Sequence, residues 1–312
     1  QAMRAIDPTI TLLGVGDMPD QPGQWLDIVT EIAGEYIDLM TVHHYTGVPD
    51  VSSDVTVEAG RRADPIPANY DEAMRNAMAT ACPEHIAALL RETRRVLDEK
   101  GSQGHRIGIS FDEWNIVNRG AGPRQDYALR DGLYAAGMLN VFQRECRSVT
   151  MANIAQLVNL LGVIETTPTD VYGSAIYWAF KLYRDYTGDV ALEVAVEGET
   201  FDVPAIANIP EMKGAPYLGV SASLDTAKNA LCLAVINRHA TEAISAEIQA
   251  EGAVIGAQAR IWELNGPDMA AHNSAANKEN VGIRDRGAAA AGPRFTYTFP
   301  AHSVTVLQIP LV

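Results

Sequence analysis

The residues from Arg106 to Glu113 read RIGISFDE, and Trp114 and Asn115 follow them directly. Apolar side chains that run into two acidic residues indicate a buried strand with polar chemistry at its end. Similar runs predict three more strands: Ile10 to Val15 (ITLLGV), Tyr36 to Tyr45 (YIDLMTVHHY) and Ser148 to Gln156 (SVTMANIAQ). Apolar residues at helical spacing predict the helices Trp25 to Ala33, Pro83 to Lys100 and Gln125 to Gln143. This alternation predicts a parallel sheet with right-handed crossovers.

From about Thr167 onward, short apolar runs separated by turn residues replace the alternation of strands and helices. The predicted strands are Ser174 to Tyr183, Val190 to Val196, Tyr217 to Leu224, Ala230 to Asn237, Ala243 to Ala250, Ala259 to Leu264, Phe295 to Phe299 and Ser303 to Leu311. The stretch from Asn265 to Pro293, rich in alanine, asparagine and glycine, is predicted to be a long exposed loop. No helix is predicted in this half, which is typical of an antiparallel β-sandwich.

The number of strand–helix units in the first half limits which folds this half can form alone. Four such units cannot close an eight-stranded barrel, which needs about 250 residues. A four-stranded parallel sheet alone leaves two open edges, and both faces of a parallel sheet expect cover. Without that cover, we expect Leu12, Leu39, Val42 and Ile109 to face water. The sheet is therefore either small and open or half of something larger.

Composition excludes several classes of protein. The chain has 39 acidic and 24 basic residues among 312, a net charge of −15, which disfavours nucleic acid and anionic membrane surfaces as partners. No apolar run approaches the roughly 20 residues that cross a bilayer. The three cysteines, Cys82, Cys146 and Cys232, have no metal-type spacing and do not suggest a disulfide framework. This cysteine usage favours a reduced compartment, so we expect the cytoplasm. The given sequence opens without a signal peptide, but Gln1 to Ile6 resembles the end of a helix, so we expect the true N-terminus to lie elsewhere, and secretion stays open.

The sharpest chemical signal is the carboxylate of Glu113, which comes directly after a buried strand and directly before a tryptophan. A carboxylate there can attack an anomeric carbon, and an aromatic ring can stack on a sugar; the alternative is that Asp112 and Glu113 begin a solvated loop. Alternation along the preceding strand places His43 and Tyr45 on one face. A zinc site would need a third ligand at suitable spacing, and none is near, so no metal is expected.

With these residues in place, the chain resembles the α-L-arabinofuranosidases of glycoside hydrolase family 51. The matching segments are AMRAIDPTITLLGVG, DLMTVHHY, ISFDEWN, SVTMANIAQLVNLLGVI, YGSAIYWAFKLYRDYTGDVAL and AHSVTVLQI. The resemblance implies a (β/α)8 barrel joined to a jelly-roll-like β-sandwich, retaining hydrolysis of arabinofuranosides, and no cofactor. It makes residues 1–167 the second half of the barrel, with strands five to eight, and residues 168–312 the sandwich.

The resemblance also implies roles for single residues. Glu113 takes the place of the nucleophile, at the end of the seventh barrel strand. The residues implied to bind substrate are Tyr45, Gln156 and Trp114, with Tyr45 contacting both the nucleophile and the sugar. The residues implied to support them are His43, Asn115 and Asn153.

Two features depart from the family's pattern. The family usually continues DEWN with a Val-Trp pair, whereas this chain has Ile116 and Val117, which puts substrate preference in doubt. The family's acid/base is the glutamate of an Asn-Glu pair, and this chain contains no such pair. The resemblance therefore implies a second polypeptide or segment that supplies barrel strands one to four and the acid/base, without which the chain is inactive.

Three functions stay open from the sequence. The first is release of arabinofuranosyl residues from arabinan-type or arabinoxylan-type oligosaccharides, by a homo-oligomer of the completed unit. The second is an endoglucanase-like glycosidase of the same architecture. The third is a truncated, non-catalytic carbohydrate-binding module.

Overall fold

The computed structural model describes residues 2–16, 25–51, 66–101, 105–119, 125–207 and 209–312. Its α-helices are α1 (Ala2–Ile6), α2 (Trp25–Ala33), α3 (Glu72–Lys100), α4 (Leu129–Arg144) and α5 (Ala175–Tyr186). The strands of the first half are β1 (Leu13–Gly14), β2 (Leu39–Pro49), β3 (Gly108–Arg119), β4 (Val149–Ile154), β5 (Ile164–Thr166) and β6 (Val171–Gly173). Those of the second half are β7 (Val190–Leu192), β8 (Thr200–Val203), β9 (Met212–Pro216), β10 (Leu218–Asp225), β11 (Ala230–Asn237), β12 (Ile244–Gln249), β13 (Gln258–Asn265), β14 (Gly282–Ala290), β15 (Arg294–Phe299) and β16 (Ser303–Pro310).

The chain forms two compact units. The first unit contains Gln1–Tyr45, His85–Asn115 and Glu145–Ala155, and the second contains Thr46–Glu84, Ile116–Arg144 and Gln156–Val312. Strands β2 and β3 and helix α3 contribute residues to both units, so the units are not two consecutive halves of the sequence.

The first unit is built on a four-stranded sheet in the order β1-β2-β3-β4. Strand β1 pairs with β2 in parallel, and β3 pairs with β4 in parallel, so the predicted parallel pairing is confirmed for these strands. Within the described residues, β1 and β4 are the edge strands. The Asp38 carboxylate accepts hydrogen bonds from Arg4 at 2.5 Å and from the Leu12 backbone N–H at 2.7 Å, which ties α1 to the β1 edge.

The two faces of this sheet differ in exposure. Along β2, Met40 and Val42 are buried, whereas Leu39 and Thr41 are partly exposed. The expectation that Val42 and Ile109 face water is therefore wrong, because alternation turns Val42 to the covered face and Ile109 is fully buried. The exposed apolar side chains of this sheet and its β1 edge are instead those of Leu13, Val15 and Met151. Leu13 is the register partner of Leu39 in β2.

Helix α2 also has an apolar stripe that the described residues leave uncovered. Its residues Trp25, Ile28 and Ile32 recur at helical spacing and are all exposed, Ile32 to 74%. Val15, at the end of β1, is 68% exposed. The edge of the sheet and the neighbouring helix thus both present apolar surface that monomers usually cover.

The second unit contains two antiparallel layers around one core. A six-stranded sheet has the order β14-β13-β16-β11-β10-β7, and β12 pairs with β15 separately. Residues from both layers share one hydrophobic cluster, including Val235, Ile261 and Leu307 from the large sheet and Phe299 from β15. This confirms the predicted sandwich. Helices α4 and α5 pack on each other and on the large sheet. A Cβ atom at Gly132 would meet the Ala175 carbonyl oxygen at 3.0 Å, a tight contact, so the close approach of the helices favours glycine there.

Three sequence-based assignments in this region are wrong. The predicted strand Ser174 to Tyr183 is helix α5, because its buried residues, Ala175, Ile176, Ala179, Leu182 and Tyr183, follow helical spacing and Ser174 caps the helix. Helix α3 begins at Glu72 rather than near Pro83, since the Asp71 carboxylate accepts from the Met74 N–H. The predicted loop from Asn265 to Pro293 contains β14, which pairs with β13.

Candidate active site

The side chains of Tyr45 and Glu113 meet at the exposed face of the parallel sheet. The Tyr45 hydroxyl donates a hydrogen bond to Glu113 Oε1 at 2.7 Å. The two residues come from β2 and β3, which neighbour each other in the sheet, and this adjacency brings together side chains 68 positions apart in the chain. A distance of 2.7 Å is typical of a strong hydrogen bond between a hydroxyl and a carboxylate.

His43 joins the same cluster and contacts two carboxylates. Its Nδ1 lies 3.4 Å from Glu113 Oε2, and its Nε2 lies 3.3 Å from Asp112 Oδ1. Consecutive residues of a regular strand point to opposite faces, so Asp112 and Glu113 would not both be expected to reach one histidine. The pairing of β3 with β4 shifts register between Phe111 and Trp114, and an irregularity of this kind re-aims side chains.

The structure therefore does not place Asp112 and Glu113 at the start of a solvated loop. Strand β3 continues to Arg119, and β2 continues beyond Tyr45 to Pro49. Both strands are longer than the sequence indicated. Asp112, which was not among the candidate site residues, is part of the cluster, and the only signal for it was its position before Glu113.

The two residues after Glu113 are buried behind the site. Trp114 is 1% exposed, so its indole presents no face to a ligand in this arrangement. Asn115 is fully buried, and its side-chain amide donates to the Ala155 carbonyl at 2.7 Å. The Ala155 N–H in turn donates to the Trp114 carbonyl at 3.0 Å. These bonds fix the backbone next to Glu113 to the end of β4.

The other two candidates lie on and after β4. Asn153 is an exposed residue of β4, in the first unit. Gln156 is exposed and begins a segment of the second unit, where its backbone N–H donates to the Leu161 carbonyl at 3.2 Å. The contacts of the described residues thus bring together Tyr45, His43 and Glu113, and do not include Asn153 or Gln156 in that cluster.

The surroundings of Tyr45 keep its hydroxyl protonated, so that this hydroxyl can donate a hydrogen bond. Burial and then the hydrogen bond to the Glu113 carboxylate raise the pKa of the Tyr45 hydroxyl well above its ordinary value. On the opposite side of β2, burial and then the charge of His85 lower the pKa of His44 to about 4, so His44 is neutral at neutral pH. Only a protonated phenol can donate to a carboxylate, and so the Tyr45 hydroxyl can orient the charged form of Glu113.

The described residues contain neither a metal-type cluster nor a helix suited to crossing a membrane. In that part of the chain, no group of three or more histidine, cysteine, aspartate or glutamate residues is arranged to hold a metal ion. None of its helices combines the length and the apolar character that crossing a membrane requires.

Comparison with models of protein families shows to which family the chain belongs. Residues 112–303, well over half of the chain, match the model of the α-L-arabinofuranosidase C-terminal domain. The chain belongs to the α-L-arabinofuranosidase family. Glu113 is the second residue of the matched region, and the match covers most of the sandwich. The family's members are glycosidases, and the chain corresponds to the C-terminal portion of a glycoside hydrolase family 51 arabinofuranosidase.

Individual arabinofuranosidases show the same relationship. The chain is 27% identical to α-L-arabinofuranosidase C of Emericella nidulans, over 99% of this chain and 59% of that protein. It is 23% identical to the intracellular exo-α-(1→5)-L-arabinofuranosidase of Streptomyces lividans, over 90% of this chain and 41% of that protein. The structure of a thermostable family 51 arabinofuranosidase from Thermotoga petrophila superposes with a TM-score of 0.81 and 28% identity, covering 98% of this chain and 59% of the other. The chain thus spans about three fifths, or less, of the length of these relatives.

Proposed function

We propose that this chain is the C-terminal portion of a retaining α-L-arabinofuranosidase and that Glu113 is its nucleophile. The observation that carries the proposal is the 2.7 Å hydrogen bond from Tyr45 to Glu113, on the exposed face of a parallel sheet and next to Trp114, which pairs with Ile154 at the carboxyl end of β4. In barrel enzymes, catalytic groups occupy that end of the sheet. Membership of an arabinofuranosidase family supplies the reaction class.

The proposed reaction proceeds in two displacements. Glu113 attacks the anomeric carbon of the arabinofuranosyl unit, and the bond to the leaving oxygen breaks as a second carboxyl group protonates that oxygen. The same second group then takes a proton from water, which attacks the anomeric carbon and releases Glu113. In retaining enzymes the two carboxyl groups lie about 5–5.5 Å apart. We place the second group outside this chain, because the sequence lacks the family's Asn-Glu pair.

The neighbouring side chains have distinct roles in this proposal. Tyr45 holds Glu113 in its charged, oriented form, and His43 contacts the other carboxylate oxygen. Asn115 fixes the backbone beside Glu113 through its bond to Ala155, and Trp114 forms part of the buried support. Gln156 binds a sugar hydroxyl in the completed site, and Asn153, on β4, supports the site.

We further propose that residues 1–167 form strands five to eight of a (β/α)8 barrel and that residues 168–312 form the sandwich. The exposed edge β1, the exposed face around Leu13 and Met151 and the uncovered stripe of α2 all support a missing neighbour. A polypeptide or segment with strands one to four would pair with β1 and β4 and bring the acid/base. The completed protein is this chain together with that segment, and we expect it to form a homo-oligomer.

The names of the relatives suggest a broad class of substrates. The Streptomyces lividans relative is named for exo action on α-(1→5) linkages. We propose arabinose-containing oligosaccharides or polysaccharides as substrates, with Val117 changing one wall of the sugar site relative to the family's usual tryptophan. That relative is also named as intracellular, and we propose the cytoplasm for the completed protein.

The test is hydrolysis by the completed protein of three 4-nitrophenyl glycosides: α-L-arabinofuranoside, β-D-xylopyranoside and β-D-glucopyranoside. Turnover of the arabinofuranoside, with the α-anomer as the first product by NMR, is the expected result. Preference for the glucoside would favour the endoglucanase-like alternative. Binding of arabino-oligosaccharide without turnover of any glycoside would favour the non-catalytic module. An intact-mass measurement on the sample shows whether the second polypeptide is present.

A further inference from the structure

The second unit contains a cavity of about 410 Å³ that no step of the proposed reaction uses. It lies among the first turns of α3, strand β8, the residue before β10 and the loop that follows β11. Small-molecule pockets typically have volumes of about 300–1,000 Å³, so this cavity could take one or two sugar units.

One wall of the cavity is a row of three rings. The centroids of Phe201 and Tyr217 are 4.7 Å apart, and those of Tyr217 and His239 are 5.0 Å apart. All three residues line the cavity. His239 Nδ1 accepts hydrogen bonds from the backbone N–H groups of Thr241 and Glu242, which places its ring proton on Nε2. The three rings therefore line the cavity with aromatic carbon atoms and one ring N–H, whose Nε2 also lies 3.9 Å from Glu242 Oε2.

The cavity also has two carboxylates in its lining. Asp71 Oδ1 accepts from the Met74 N–H at 2.9 Å, and Asp202 Oδ1 accepts from the Gly214 N–H at 2.8 Å. These bonds hold one oxygen of each carboxylate in place. In the described part of the chain, neither second oxygen has a hydrogen bond, so both can accept from a ligand.

The charged side chains in the lining of the cavity disfavour anionic ligands. The single guanidinium, that of Arg238, is paired with Glu84 at 2.7 Å and is 1% exposed, so it offers little to an anion. The two aspartates repel phosphates and carboxylates. A neutral polyol fits the lining better, since its C–H face can lie on an aromatic ring while its hydroxyl groups donate to carboxylates.

We propose that this cavity is a second carbohydrate site, which holds one or two units of an arabinose-containing chain without cleaving it. The proposal rests on the proposed function for the identity of the sugar. Phe201 and Tyr217 provide aromatic contacts for the C–H groups of the sugar, Asp71 and Asp202 accept hydrogen bonds from sugar hydroxyls, and His239 donates one.

The test is calorimetric titration of α-1,5-L-arabinobiose into the 312-residue chain and its variants. Tyr217→Ala removes the central ring and should weaken binding roughly two- to tenfold, the effect of losing one aromatic contact. Asp202→Asn keeps the acceptor for Gly214 but removes the charge, and should weaken binding several-fold without a change in melting temperature. The matched control is Asp285→Asn, because Asp285 accepts in the same way from the Gly287 N–H at 2.8 Å and does not line the cavity; it should bind like the wild type.

A further variant, Glu113→Gln, separates this site from the proposed catalytic one. The second site predicts that arabinobiose still binds when Glu113 is changed. If Glu113→Gln abolishes binding while Tyr217→Ala and Asp202→Asn leave it unchanged, the second site is wrong and the proposed function stands. Absence of binding by the wild type at tens of millimolar also overturns the second site. Displacement of the sugar by equimolar choline would reassign the cavity to an organic cation. Hydrolysis of the 4-nitrophenyl glycosides by the completed protein is measured in a separate assay. Failure of the proposed function would appear in that assay and not in the binding titration.

Discussion

Removal of the Tyr45 hydroxyl tests how the proposed nucleophile is held. The change Tyr45→Phe deletes one hydrogen bond of 2.7 Å to Glu113 and leaves the ring in place. A hydrogen bond to a charged group contributes about 1.5–3 kcal/mol. The Glu113 side chain is 43% exposed, so water replaces part of the loss and the lower half of that range applies. We expect a cost of about 1.5–2 kcal/mol, which lowers kcat roughly ten- to thirtyfold.

The assay is steady-state hydrolysis of 4-nitrophenyl α-L-arabinofuranoside by the completed protein, with kcat and KM determined separately. Because the lost bond orients the attacking group, the change should fall mainly on kcat. The matched control is Tyr70→Phe, because the Tyr70 hydroxyl donates to the Pro49 backbone carbonyl at 3.0 Å rather than to a carboxylate. That variant should lose stability but keep kcat within about twofold. An unchanged kcat in Tyr45→Phe, or a loss as deep as that of Glu113→Ala, would refute the supporting role.

Two further predictions concern the chain's ionisation and its thiols. Burial opposes ionisation of Glu84, but Arg238 and Arg144 outweigh it and hold its pKa below the ordinary 4.5. The stability from this ion pair is therefore complete above about pH 5 and lost as the pH falls through the lowered pKa. Glu84→Ala leaves the buried Arg238 unpaired and should cost about 3–5 kcal/mol at pH 7, measured by urea unfolding, with a smaller loss below pH 4; equal losses at both pH values would contradict the pairing. Cys146 is exposed, whereas burial raises the pKa of the Cys82 thiol to about 12 and the third cysteine is buried. Iodoacetamide at pH 8 should therefore label one thiol of the native chain and all three in urea, by intact mass, and rapid native labelling of Cys82 would show that its burial is wrong.

Much of the fold could be predicted from the order of short apolar runs. The parallel pairs β1–β2 and β3–β4 follow from strands alternating with helices, since a crossover returns each strand in the same direction. Helix α5 could not be predicted in this way, because Tyr177, Trp178 and Phe180 have high strand propensity. Burial of Ala175, Ala179 and Leu182 on one helical face overrides that propensity. Tertiary packing of this kind does not appear in a local pattern.

The candidate site shows the same division between local pattern and three-dimensional context. Period-two alternation placed His43 and Tyr45 on one face, and neighbouring strands brought that face to Glu113. The part played by Asp112 depends on the register shift between Phe111 and Trp114, which two strands produce together. A single strand's sequence does not encode where its partner slips. The cavity beside Tyr217 likewise depends on segments that are distant in the chain.

The most direct test of the central claim is chemical rescue of Glu113→Ala in the completed protein. Loss of the nucleophile should lower kcat for an activated aryl α-L-arabinofuranoside by several orders of magnitude. Azide can then enter the space left by the carboxylate and attack the anomeric carbon in a single displacement. Added azide should therefore restore turnover, and NMR should identify the product as β-L-arabinofuranosyl azide, the inverted anomer. Near wild-type turnover by Glu113→Ala without azide would contradict the assignment of Glu113 as the nucleophile.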